Sequence, residues 1–131
     1  MHKLSLICIL FLLSCGLAAV NKEKATDLAE KEMNDLKNEN YVNLDNYFTD
    51  ASNESEPLEK KIEKFKKLKE MLGGIESYAL ISATTDDNAD NGGPKMELKY
   101  RLKCEKATVI HTLIIINDEG THKITFENFE N

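Results

Sequence analysis

The residues with the most obvious chemical potential are two histidines, two tyrosines and one cysteine in the C-terminal half of the chain. His111 and His122 flank the turn signal Asn117-Asp118-Glu119-Gly120, so what they can do depends on strand register. A tight four-residue loop pairs Ile116 with Thr121 and puts both rings on one face, roughly 13 Å apart. A type I turn with Gly120 at a bulge pairs Asn117 with Thr121 instead; the rings then lie on opposite faces and His111 sits across from Glu127, as a surface pair. Neither register brings two imidazoles to one metal. Tyr78 and Tyr100 fall on candidate sheet strands, where they could line a pocket and serve acid–base work on a small ketone if a buried carboxylate joined them. The alternating inward set supplies no such carboxylate, since Glu97 belongs to the polar set. Cys104, at the end of an alternating strand, reads as a small core residue. No nucleophile elbow, phosphate-cradling Gly loop or metal-ligand cluster is present, so no catalytic residue and no cofactor is expected.

The loop from Asp86 to Glu97 comes closest to a known motif. Asp86, Asn88, Asp90 and Glu97 occupy positions 1, 3, 5 and 12 of a calcium loop, where oxygen ligands wrap a hard cation. Position 6 is Asn91 where Gly must turn the chain, position 8 is Gly93 where an aliphatic residue belongs, and Pro94 follows. The flanks read as strands. The expectation is a solvated hairpin loop and no metal.

The N-terminus is an address. Lys3 precedes an apolar run from Leu4 to Leu13 broken only by Ser5, too short for the roughly 20 residues of a bilayer span and of the right length for a signal peptide. Leu12-Leu13-Ser14-Cys15-Gly16 resembles the bacterial lipoprotein box. That resemblance implies cleavage before Cys15, lipidation of Cys15 and a domain tethered to an envelope membrane, because several acyl chains hold a surface far better than one. The alternative is a plain secretory signal cut near Gly16-Leu17-Ala18-Ala19, giving a secreted or periplasmic soluble protein. Beyond the leader only Cys104 remains with Cys15, so no disulfide is expected within the body. The expected organisation is a signal peptide over 1–14, a lipidated tether over 15–21 and one domain over 22–131.

Composition sets the frame for that body. The chain has 17 Lys and Arg against 23 Asp and Glu, with 41% hydrophobic and 31% charged residues, which is the profile of a folded globular domain. A net charge of -6 leaves no cationic face to neutralise phosphates, which argues against a nucleic-acid partner.

The elements that must position these residues change period half-way. Ala25, Leu28, Ala29, Glu32, Leu36 and Lys37 follow a helical spacing, and Tyr41, Leu44, Tyr47 and Phe48 repeat it briefly. Residues 49–56 read as a polar break, with Asn53-Glu54-Ser55-Glu56 at capping-box spacing before Pro57. Leu58, Ile62, Phe65, Leu68 and Leu72 then form one apolar stripe that Gly73-Gly74 ends. This helix carries six Lys against three Glu, a face expected to be solvated and laced by Glu59 and Glu63 with Lys60, Lys64 and Lys67. From residue 77 the period is 2. Ala79, Ile81 and Ala83 alternate; Met96, Leu98, Tyr100, Leu102 and Cys104 alternate against Glu97, Lys99, Arg101 and Lys103. Thr108 to Ile116 is β-branched and apolar on both faces, so covering on both sides is expected, and Thr121 to Phe129 returns as the last strand. The predicted fold is α+β: N-terminal helices packed on a curved antiparallel sheet of about four strands.

With its leader, the Asn40-Tyr41…Tyr47-Phe48 segment, the helix ending Leu72-Gly73-Gly74-Ile75, and the strands around Tyr78-Ala79-Leu80-Ile81, Leu98-Lys99-Tyr100-Arg101-Leu102 and His122-Lys123-Ile124-Thr125-Phe126, the chain resembles small bacterial envelope proteins of the nuclear-transport-factor-two-like (cystatin-like) superfamily. The lumazine-binding-like and scytalone-dehydratase-like groups belong there. The resemblance implies a cone-shaped sheet around helices and transfers no catalytic residue, since fold does not decide function. The expected function is a non-catalytic domain of the cell envelope, anchored to the membrane by its N-terminal lipid, that binds a small ligand or an envelope protein. The alternatives are a small pocket enzyme of the scytalone-dehydratase-like kind and a structural or immunity-type interaction protein. A filled cone with an exposed apolar sheet would favour a protein partner; paired acid and base groups in a pocket would favour an enzyme.

Overall fold

Asn21 opens the first helix by accepting a hydrogen bond from the Lys24 backbone N–H through its side chain, at 2.9 Å. The computed structural model describes residues 18–87 and 92–131. Helix α1 runs Lys22–Lys37 and buries Ala25, Ala29, Glu32, Met33 and Leu36, the stripe expected from the spacing. A short 3-10 turn, Leu44–Tyr47, follows and seats Leu44 in the core. Helix α3, Leu58–Leu72, packs Phe65 against Leu36, Tyr41 and Leu44, and ends at Gly73 with φ of 78°. A Cβ at Gly73 would come within 2.7 Å of the Glu105 Cβ, so glycine is required there by contact as well as by dihedral.

The interval 49–56 departs from expectation. It contains a six-residue helix, α2, Asp50–Ser55, capped by the Thr49 side chain. The capping-box reading of Asn53 and Glu56 fails with it: Pro57 precedes α3 with no side-chain cap, and Asn53 turns its oxygen to Lys61 instead. A nearby cation outbids the helix N-terminus for that acceptor.

Four strands form an antiparallel meander in the order β1-β2-β3-β4: Ile75–Asp86, Lys95–Cys104, Thr108–Asp118 and Thr121–Glu130. Strand β2 alternates as read, with Met96, Leu98, Tyr100, Leu102 and Cys104 all buried. In β1 the alternation of Ala79, Ile81 and Ala83 is broken by a bulge between Leu80 and Ser82, which leaves Ile81 44% exposed. The fold is thus the predicted α+β, helices on one face of an open sheet, consistent with a cystatin-like cone.

Register in the last hairpin differs from both sequence alternatives. Asp118 pairs with Thr121 across a two-residue turn, Glu119-Gly120, with φ of 53° and 92°. Positive φ at both central positions gives the turn whose twist matches its strands. Farther along, Ile115 pairs with Ile124 but Ile114 pairs with Phe126, so Thr125 is an extra residue. That bulge reverses the side-chain parity of β4. His122 and Ile124 face the helices before it; Glu127 and Phe129 face them after it, opposite Leu113 and His111. The bulge is pinned from the helical side: the Thr49 N–H donates to the Ile124 carbonyl at 3.0 Å and the Ser52 hydroxyl to the Thr125 carbonyl at 2.9 Å.

Candidate functional site

Inside the cone, three ionisable side chains from three elements meet. Glu32 comes from the apolar stripe of α1, His111 from the inward set of β3, and Glu127 from the re-aimed end of β4. Glu32 and His111 are fully buried, and the Glu127 side chain is 3% exposed. His111 Nε2 lies 3.6 Å from Glu32 Oε1 and 3.6 Å from Glu127 Oε1. No side-chain nitrogen or oxygen of the three has a hydrogen-bond partner outside the trio: both carboxyl groups and both His111 ring nitrogens meet only one another. The imidazole is held in place by stacking flat on Phe129, with centroids 4.1 Å apart and planes 7° from parallel. Phe129 in turn meets Phe65 of α3 edge-on.

This corrects two expectations. The reading of His111 and Glu127 as a surface pair fails because the Thr125 bulge turns Glu127 inward. The reading that no carboxylate joins the inward set fails for the same reason, and because Glu32 occupies an apolar-stripe position of α1. A signal for Glu32 was in the sequence, since a Glu in line with Ala25, Ala29 and Leu36 must face the core. None existed for Glu127, whose parity the bulge decides.

The electrostatics of the trio split its carboxyls. Burial, then the neighbouring Glu127 charge, push Glu32 well above the ordinary carboxylate value of 4.5. Glu127 moves the other way: against burial, which would raise it, its polar neighbours Glu32 and His111 and the positive charges of His111 and Lys64 hold it below that value.

A groove of about 410 Å³ is lined by Phe48, Ser52, Lys61, Lys64, Phe126 and, alone among the trio, Glu127. Lys61 is 1% exposed, yet its ammonium is fully engaged, donating to Asp45 Oδ1 at 2.9 Å, Asn53 Oδ1 at 2.6 Å and the Glu56 carbonyl at 2.8 Å. It also sits 4.6 Å above the Phe48 ring. Lys67 pairs with Glu63 at 3.1 Å, as the lacing of α3 was expected to run, whereas Lys64 pairs at 2.8 Å with Glu56, which precedes the helix. Between α1, α3 and the sheet lies a second, apolar cleft of about 50 Å³ that includes Leu36, Phe65, Leu72 and Phe129.

The other sequence candidates lie elsewhere. Tyr78 and Tyr100 pack edge-on at 6.1 Å and reach back to α1, donating to Asn34 at 3.2 Å and Glu30 at 3.3 Å. Tyr100 is the cross-strand partner of His111, but its hydroxyl turns to Glu30 and not to the trio. His122 accepts from the Asn21 N–H at 2.9 Å and so closes the end of α1 onto the sheet. Cys104 is buried, which raises its thiol further from reactivity. Asp86 ends β1 and Glu97 lies within β2; Asn88, Asp90 and Cys15 are outside the described residues.

The outer face of the sheet is the remaining surface of note. No described helix packs on it, contrary to the expectation that β3 is covered on both sides. Ile110, Ile114 and Ile116 lie there half-buried, alternating with the core set Val109, His111, Leu113 and Ile115. Phe126, opposite Ile114, is 54% exposed. Among the described residues no helix is long and apolar enough to cross a membrane. No protein-family model matches the chain, and no curated protein matches it in sequence.

Proposed function

We propose that this chain is a lipid-anchored protein of the bacterial cell envelope, of the nuclear-transport-factor-two-like (cystatin-like) kind, whose body is a non-catalytic domain that binds an envelope protein through the open face of its sheet. The strip of half-buried Ile110, Ile114 and Ile116 with exposed Phe126, on which no described helix packs, carries this reading. A solvated antiparallel face is ordinarily polar in its outward set, and three isoleucines in line on a central strand break that rule. The cone interior supports a protein over a small ligand. Leu98, Leu102, Leu113, Ile115 and Ile124 fill it, and the apolar cleft there holds about 50 Å³, far below the roughly 300–1,000 Å³ of ligand pockets, while the groove of about 410 Å³ is open surface between α2, α3 and β4. Beside the strip, β2 presents Lys99, Arg101 and Lys103, so the partner surface would be apolar with an acidic margin.

The tether sets the geometry. Val20 is buried in the core and Asn117 donates to the Ala19 carbonyl at 3.3 Å, so the body begins almost at once. The stretch from a lipidated Cys15 to Ala19 then spans at most about 14 Å. That holds the end of the molecule bearing the β3–β4 turn against the headgroups and leaves the sheet face lateral to the membrane.

The test is a photo-crosslinking residue placed at Ile114 and, as control, at Lys66 on α3, together with palmitate labelling of the chain and of Cys15→Ser. The expected result is label on the parent only, and a discrete adduct from position 114 that Phe126→Glu abolishes. A chain found free in the cytosol with its leader intact, or equal adducts from both positions, overturns the proposal.

A further inference from the structure

The trio inside the cone has a property that packing alone does not explain. Six side-chain hydrogen-bonding atoms of Glu32, His111 and Glu127 are buried with no partner outside the trio, and unsatisfied buried polar groups are costly enough to be rare. The reach of nearby cations does not relieve them, because Lys61 is taken by Asp45, Asn53 and Glu56, and Lys64 by Glu56.

We propose that Glu32, His111 and Glu127 bind one divalent transition cation of the zinc class, one ligand atom from each. The two Nε2–Oε1 separations of 3.6 Å stand a few tenths above the roughly 3.3 Å edge of a tetrahedron with ~2.0 Å bonds. One atom from each of the three side chains lies within 4.8 Å of the others. The terminal carboxyl torsions are the softest in the side chain, so the oxygens are free to turn toward one ion. Two carboxylates balance a 2+ ion, which removes the penalty of two like charges in a dry site. An imidazole nitrogen in the set selects zinc and its neighbours over calcium or magnesium, which take oxygen ligands. Three protein ligands leave one coordination position, and Glu127 is the ligand that also borders the groove beside α2 and α3. Because the ligands come from α1, β3 and β4, the ion would clamp helix to sheet across the cone.

This inference is independent of the docking face and of the lipid anchor. Its test is calorimetric titration of the full-length chain, stripped with chelator in detergent, with zinc chloride, alongside Glu32→Gln and Glu127→Gln. Both variants keep the side-chain volume and delete a ligand charge. The expected result is one zinc per chain, weakened at least 100-fold in each variant, with far-UV dichroism unchanged. Should a variant fail to fold, the parent decides alone: zinc must shift the ring resonances of His111 in nitrogen-15 spectra and leave those of His122 in place. A parent that takes up no zinc, variants that bind as the parent does, or zinc that moves His122 and not His111, overturns the proposal and leaves a shared-proton network in its place.

Discussion

Glu32→Gln gives the most direct reading of how the cone tolerates its buried charges. In the parent, with metal removed by chelator, burial and Glu127 raise the Glu32 carboxyl above 4.5. The folded chain therefore holds a proton that the unfolded chain releases above that pH. With more protons bound in the folded state, stability falls as pH rises, by at most about 1.4 kcal/mol per pH unit, until Glu32 itself ionises. The scale of the effect follows from geometry. Were both carboxyls ionised, two unit charges no more than 4.8 Å apart would repel by about 3.5 kcal/mol at an effective dielectric of about 20. The positive charges of Lys64 and Lys61 offset part of this. Glutamine keeps the volume and cannot ionise, so the variant should lose the decline. From pH 5 to pH 7 the parent should lose stability relative to the variant in urea titrations, at no more than that limiting slope. Glu127 acts in the opposite window: its depressed carboxyl contributes stability above 4.5 that is lost as pH falls through its folded value, and Glu32→Gln should leave most of that acid limb in place. Parallel stability curves for parent and variant between pH 5 and pH 7 would refute the assignment of a raised, buried Glu32.

Two further predictions concern the frame around the trio. Lys61→Met should cost about 2–3 kcal/mol in chemical denaturation, because three charge-assisted hydrogen bonds vanish, discounted for the 38% exposure of Asp45, which recovers water. Gly73→Ala should cost about 1–3 kcal/mol by thermal melting, and more than Gly120→Ala: both positions have positive φ, but only Gly73 would drive a Cβ into Glu105.

Local pattern sufficed for much of this protein. The periods of 3.6 and then 2 placed α1, α3 and the strands. They made Met96 through Cys104 the inward set of β2, while the Asn117–Gly120 signal marked the last hairpin but not its turn, which is Glu119-Gly120 alone. Those features depend on residues a few positions apart, whose burial is fixed by helical or strand periodicity. Even Glu32 and Lys61 were marked, each lying in line with apolar neighbours on its helix. The helix at Asp50–Ser55 was hidden because six residues carry too little apolar signal, and it persists through its Thr49 cap and its contact with the β4 bulge.

What tertiary structure alone decided is which way the end of β4 faces. Without the extra residue at Thr125, Phe126 would point into the cone and Glu127 to solvent. With it, Phe126 joins the open apolar face and Glu127 joins Glu32 and His111. Strand parity is a period of two, so one added residue reverses every side chain beyond it. That insertion is stabilised by Thr49 and Ser52, some seventy positions away in the chain, where no local pattern reaches.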